Sequence, residues 1–322
     1  PLTMAHSGRY RGYGWYEWAP GDDGGHDSQL TKPAEGLLLR GAADILSVYV
    51  DDRYEGTYLP SGSSAYVKLS EPLAEDQLLV IRAEIWGHTN FADNLLPALR
   101  MSSAKGLQGL MAVHSVRRLQ SNWLCYPCEQ WTIENGLQRL KNIPTSHDDL
   151  AITEWGGWLN TARLETNLFS KKVALSPKAA SWVLHIDGLQ AKVIAFVNDT
   201  LVGEVDLADP YIDITPYVQA GEEAHIQLYL ERRYHAPAGS IMLYEGEAMT
   251  NFRISGAEED ELWQHAVQAM AGAEIEAGQG QEEQGWRQEQ QRLDFPHIIK
   301  PGRVAWLTGV CPQTEQDTNL IM

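Results

Sequence analysis

Two short stretches concentrate residue types that could do chemistry. Trp86-Gly87-His88-Thr89-Asn90-Phe91 places two aromatic rings, an imidazole, a hydroxyl and an amide within six residues. An indole face packs on the C–H face of a pyranose, and His88 and Asn90 can hydrogen-bond its hydroxyls. Sites built from an apolar platform and a few polar groups have this composition. The same six residues also suit a structural loop that packs on a neighbouring domain. Tyr10-Arg11-Gly12-Tyr13-Gly14-Trp15-Tyr16-Glu17-Trp18 alternates aromatic with other residues, as an extended strand would. Trp15 and Trp18 could then belong to an aromatic strip that meets glycan or another domain. Alternatively, the stretch is the first strand of a sandwich with every second ring buried.

Other chemistry finds no constellation. Cys125-Tyr126-Pro127-Cys128 has redox-type spacing, but a thioredoxin-like site needs a helix start to lower the thiol pKa, and a linker-like segment follows here. A zinc site needs a second ligand pair, and only the distant Cys311 and scattered His residues remain. Three cysteines are too few for a disulfide framework. Asp51-Asp52 offers hard oxygens to a structural Ca²⁺, although a plain turn accounts for the pair. No Gly-x-Ser-x-Gly elbow, phosphate loop or His-x-x-x-His pair occurs, and the carboxylates form no identifiable acid–nucleophile pair.

Composition narrows the partners. The 322 residues carry a net charge of −18, which repels phosphate backbones and anionic lipid, so nucleic acid and membrane surfaces are not expected partners. No apolar run reaches the roughly 18 residues of a membrane span, and the N-terminal stretch has no signal-peptide core. Neutral ligands such as sugars remain open. Trp (11) and Tyr (13) far outnumber Phe (5), a balance suited to half-exposed rings with one wet edge.

The elements that must position these residues are strands. Ile45-Leu46-Ser47-Val48-Tyr49-Val50, Leu78 to Trp86 and Leu110 to Val116 are β-branched or alternating runs punctuated by Gly and Asp. In the second half, Ser181 to Asp187, Val193 to Val197 and Ala224 to Leu230 repeat the theme. The halves match directly. Tyr49-Val50-Asp51-Asp52-Arg53-Tyr54-Glu55-Gly56 aligns, 147 residues on, with Phe196-Val197-Asn198-Asp199-Thr200-Leu201-Val202-Gly203. Each reads as a strand, an Asx turn and a return strand, which is a β-hairpin. The expected organisation is a first sandwich over residues 1–128 and a linker over 129–155 with a short helix at 129–141. A second sandwich follows over 156–322, with a mobile Gly/Glu/Gln-rich insertion at about 257–290 and a closing strand at 298–306.

These units resemble a known family. Val48-Tyr49-Val50-Asp51-Asp52-Arg53-Tyr54-Glu55-Gly56 looks like the hairpin of galactose-binding-like jelly rolls, and Phe196 to Gly203 looks like it again. Leu79 to Phe91 resembles the strand and loop that follow in β-galactosidases of glycoside hydrolase family 35. Lys105-Gly106-Leu107-Gln108-Gly109 resembles the Lys-Gly-Ile-x-Gly that opens the next strand there, and Trp123-Leu124-Cys125-Tyr126-Pro127 the Trp-x-x-Tyr-Pro that closes the module. The matches fall in the family's order over residues 36–235. They depart from it at Asp52 and Asp199, where the family has Gly, and at Trp86-Gly87-His88, where it has Asn-x-Gly-Arg.

The resemblance implies an all-β chain of two tandem jelly-roll sandwiches that serve as accessory domains. In that family, catalysis belongs to a separate (β/α)₈ barrel with two Glu residues about 5 Å apart. Such a barrel needs about 250 residues of alternating strand and helix, and no such stretch exists here, so no catalytic residue is carried over. The expected partners are the catalytic barrel of a longer parent chain and glycans, with no cofactor. The alternative is a stand-alone carbohydrate-binding or protein-interaction sandwich. The candidate sugar contacts are Trp86, His88, Asn90, Phe91, Trp15 and Trp18.

Overall fold

The structure, a computed structural model, describes residues 3–4, 11–18, 30–60, 62–88, 104–127, 151–157, 164–234 and 236–257. The chain divides into two compact units, Pro1–Ala257 and Glu258–Met322, and every described residue belongs to the first. The helix read at 129–141, the insertion beyond Ala257 and the closing strand at 298–306 lie outside the described residues.

The described residues are nearly all strand, in three antiparallel sheets, as an all-β sandwich requires. Seven strands come from the first half: β1 Gly12–Trp18, β2 Ala34–Arg40, β3 Ile45–Val50, β4 Arg53–Tyr58, β5 Ala65–Leu73, β6 Leu79–Ile85 and β7 Gly109–Arg118. β8 Trp123–Pro127 and β9 Ala151–Thr153 follow. The second half supplies β10 Leu164–Ala174, β11 Ser181–Asp187, β12 Lys192–Val197, β13 Thr200–Glu204, β14 Tyr211–Asp213, β15 Glu223–Arg233 and β16 Ser240–Ala248, and β17 Arg253–Ala257 comes last.

The sheet orders make the duplication explicit. One outer sheet runs β17-β1-β6-β3-β4 and the other β13-β12-β15-β10-β8-β9, while the central sheet runs β14-β11-β16-β7-β2-β5. β1 to β7 therefore occupy the same relative positions as β10 to β16, and the equivalent strands β7 and β16 pair antiparallel at the middle of the central sheet. The hairpins agree in detail. Asp51, Asp52, Asn198 and Asp199 all have positive φ (47°, 63°, 48° and 60°), the primed turn that short-tailed Asx residues tolerate. A register shift sits at Val48/Tyr49 in one hairpin and at Ala195/Phe196 in the other. Asp51 Oδ1 accepts the Leu78 amide at 2.8 Å, and Asn198 Oδ1 accepts the His225 amide at 2.9 Å. Asp51 Oδ2 also accepts from Gln77 Nε2, so this carboxylate ties the turn to the next strand.

Strand pairing does not follow the sequence boundary read at residue 128. β8 lies before it but pairs with β10 of the second half, and β17 returns to pair with β1 of the first. Each half thus lends its trailing strand to the other. Two cores result. One packs Tyr16, Trp18, Leu46, Val48 and Ile81 against Leu37, Leu39, Val67 and Ala112. The other packs Trp123, Phe169, Val193 and Leu228 against Trp182, Leu184, Ile186 and Leu243. Gly246 sits at the β16 bulge where the halves join, and a Cβ there would collide with the Ala112 carbonyl oxygen. Gly246→Ala is expected to destabilise the chain by about 1–3 kcal/mol, the cost of overpacking, measured by chemical denaturation.

The central sheet is rolled. Its edge strands β14 and β5 have four strands between them, so a flat sheet would hold them about 24 Å apart at the usual strand spacing. Yet Asp209, just before β14, accepts the Ser64 amide at 2.8 Å and its hydroxyl at 3.1 Å, just before β5. Arg40 on β2 also reaches Asp213 on β14 at 3.4 Å. The concave face this creates is filled by Leu38, Met111, Val113, Val183 and Tyr244. Tyr211 stacks on His185 at 3.8 Å and 3°, and burial holds His185 below its usual pKa, favouring the neutral ring.

Candidate functional site

β1 is wide open to sequence reading because its period is strictly two. Gly12, Gly14, Tyr16 and Trp18 turn inward, while Tyr13, Trp15 and Glu17 face outward and are half-buried. β6 beside it buries Leu79, Ile81, Ala83 and Ile85 and presents Val80, Arg82 and Glu84 on the same outer side. The register sets Tyr13 opposite Glu84 and Trp15 opposite Arg82. Tyr13 and Trp15 rings lie 6.3 Å apart, and the Arg82 guanidinium sits 5.9 Å from the Tyr13 ring centre, within cation–π range. Trp86, one residue past β6, is 53% exposed and its indole N–H donates to Glu84 Oε1 at 2.9 Å. Tyr13, Trp15, Arg82, Glu84 and Trp86 form one outward patch. In the next row Ser47, opposite Arg82, is buried at 1% exposure and its hydroxyl lies 2.8 Å from that of Thr57.

A buried ion pair positions Trp86. Its amide donates to Asp44 Oδ2 at 2.8 Å, and Asp44 is held by Lys105 Nζ at 2.7 and 2.9 Å. Lys105 is fully buried and Asp44 only 4% exposed. Gly106 follows at φ +76°, and a Cβ there would strike the Tyr16 hydroxyl, which accepts the Leu107 amide at 2.9 Å. The Lys-Gly motif therefore has two physical jobs: Lys105 neutralises Asp44, and Gly106 makes room for Tyr16.

Of the sequence candidates, Trp15 and Trp86 come together on this face. Trp18 does not: its ring is 2% exposed in the first core, so it has no surface to offer a ligand. The alternation of β1 decides this, since Trp18 shares parity with Tyr16. His88 is half-buried two residues beyond Trp86, and Asn90 and Phe91 lie outside the described residues. Cys125 points into the second core opposite Phe169, which gives its thiol a packing role, and Cys128 lies outside the described residues. Arg82, Glu84 and Tyr13 were missing from the candidate set. Their signal was the parity of Arg82-Ala83-Glu84-Ile85-Trp86, in which every second residue is polar or aromatic. The patch has the groups to stack a ring and hydrogen-bond its hydroxyls. Among the described residues it has no pair of carboxylates facing each other across a cleft.

The fold and this face define a β-sandwich protein. No protein-family model matches the sequence, and no curated protein matches it. Solved structures similar to it include β-glucuronidases. A β-glucuronidase from Ruminococcus gnavus in complex with D-glucuronic acid has a TM-score of 0.32 at 8% identity over 41% of this chain and 29% of that one. Another structure titled Ruminococcus gnavus β-glucuronidase gives 0.31 at 8% identity over 40% and 28%. The chain spans less than a third of the length of these enzymes.

Proposed function

We propose that this chain is a non-catalytic accessory region of a β-galactosidase-like glycoside hydrolase, two galactose-binding-like jelly-roll units that pack against the catalytic barrel of a longer parent chain and hold glycan. The observation that carries the sugar-binding part is the convergence of Trp15, Tyr13 and Trp86 with Arg82 and Glu84 on one outward face. Aromatic faces supply the platform for a pyranose, and the flanking charged groups supply donors and acceptors. The accessory role draws on the ordered resemblance of Leu79 to Phe91, Lys105 to Gly109 and Trp123 to Pro127 to family 35.

Calorimetric titration with galactose, lactose and a panel of plant and bacterial glycans tests this reading, with p-nitrophenyl-galactoside hydrolysis followed on the same samples. Glycan binding is expected without turnover, and Trp86→Ala and Trp15→Ala are each expected to weaken it roughly tenfold, the scale of one lost aromatic contact. Turnover above contaminant level would remove the accessory reading. Binding indifferent to both substitutions would remove the face from the site.

A further inference from the structure

The rolled central sheet ends in a mouth that no strand among the described residues covers. β2 and β14 finish there at Arg40 and Asp213, and β7 and β11 begin there at Gly109 and Ser181. A cavity of about 320 Å³ opens at this end. Met111 and Val183, from the apolar filling of the concave face, form its floor. That volume lies at the lower end of small-molecule sites, which run from roughly 300 to 1,000 Å³, so the space suits one ring and not a chain of them.

The wall is polar and charged in both senses. Arg40 stands 3.4 Å from Asp213 Oδ2, and Asp213 Oδ1 accepts the Thr215 amide at 3.0 Å. Asp209 spends one lone pair of each oxygen on Ser64. Its carboxyl is pushed up by burial, against the pull of the Ser64 bonds. The Gln108 and Ser181 side chains line the same space and make no hydrogen bond among the described residues. One guanidinium against two carboxylates disfavours an anion. An amide, a hydroxyl, spare carboxylate lone pairs and an apolar floor together match a molecule with an apolar face and a rim of hydroxyls.

We propose that the mouth of the rolled central sheet is a second binding site that takes a single neutral pyranose, laid on Met111 and Val183 with its hydroxyls toward Gln108, Ser181 and the two aspartates. Arg40 and Asp213 hold the rim at fixed spacing because they also close the roll. The site is separate from the Trp15–Trp86 face and does not depend on that face binding sugar. The pyranose arrives either free or as the terminal unit of a glycan.

The 322-residue chain is titrated calorimetrically with galactose, glucose, methyl β-galactoside, lactose and glucuronate. Gly109→Leu fills the mouth, and a Cβ there meets only Arg40 Cβ at 3.7 Å and Cγ at 3.9 Å, ordinary contacts. With the outer face silenced by Trp86→Ala, a neutral pyranose is expected to bind with 1:1 stoichiometry, and more than tenfold more weakly once Gly109→Leu is added. Gln108→Ala, at an exposed position, is expected to weaken it roughly fivefold. Glucuronate is expected to bind at least tenfold more weakly than glucose. Methyl galactoside and lactose matching galactose would assign the site to glycan ends, and their exclusion would assign it to free sugar. Absence of binding by every neutral pyranose overturns the proposal, as does binding that survives both Gly109→Leu and Gln108→Ala.

Discussion

Trp123→Ala is expected to destabilise the chain by about 3–5 kcal/mol, the range for truncating a fully buried aromatic. Trp123 is completely buried, and its ring lies 5.7 Å from that of Trp155 and 6.4 Å from that of Phe169, with Trp155 and Phe169 at 4.9 Å. Its indole N–H donates to the Leu119 carbonyl. The three rings come from β8, the turn after β9, and β10. Losing one leaves a cavity that the other two cannot fill without leaving their packed geometry. The effect is compounded by position, because β8 is the strand that the first half lends to the second, so loosening it loosens the join between halves. At roughly 2–4 °C per kcal/mol for a domain of this size, the melting temperature should fall by about 6–20 °C. Ile152 on neighbouring β9 is 76% exposed, and Ile152→Ala should stay within about 0.5 kcal/mol. Guanidinium denaturation of both variants checks this. A Trp123→Ala cost below 1 kcal/mol would mean that β8 contributes little to the second core.

Lys105→Met is expected to cost about 3–5 kcal/mol, since it strands a buried carboxylate without its cation. Asp44 would keep the Trp86 amide as a hydrogen-bond donor but lose both bonds from Lys105 Nζ. The double variant Asp44→Asn/Lys105→Met should recover most of the loss, because desolvating two charges costs nearly as much as their attraction returns. A double-mutant cycle on denaturation midpoints therefore shows strong coupling. The same variants report on the site. Trp86 takes its backbone anchor from Asp44, so Lys105→Met should weaken any glycan affinity that Trp86→Ala weakens. Additive effects in the cycle would show that the pair does not act as a unit, whatever its 2.7 Å geometry.

The candidate face shows how far reading by period goes. Trp15 and Trp86 are legible as outward residues once β1 and β6 are recognised, because side chains on a strand alternate sides. By the same rule Trp18 belongs inside, although its ring chemistry resembles that of Trp15. What no period reveals is that Tyr13 meets Glu84 and Trp15 meets Arg82, since register between two strands 67 residues apart depends on how their buried faces mesh. The Asp44–Lys105 pair was equally silent. Lys105 stood in a recognisable motif, but its partner lies 61 residues away.

The sequence by itself determined the class: strands from alternation, hairpins from Asx turns with positive φ, and a duplication from the match between Tyr49–Gly56 and Phe196–Gly203. These are local signals, carried by a few adjacent residues whose backbone preferences the chain states directly. Only the tertiary structure decided that β8 and β17 cross to the opposite half, that β7 and β16 fuse two cores through one central sheet, and that this sheet rolls until Ser64 meets Asp209. The physical reason is that strand edges hydrogen-bond through the backbone, which is nearly the same for every residue. Partner choice is therefore settled by the collective burial of whole faces, a quantity that exists only once the chain has folded.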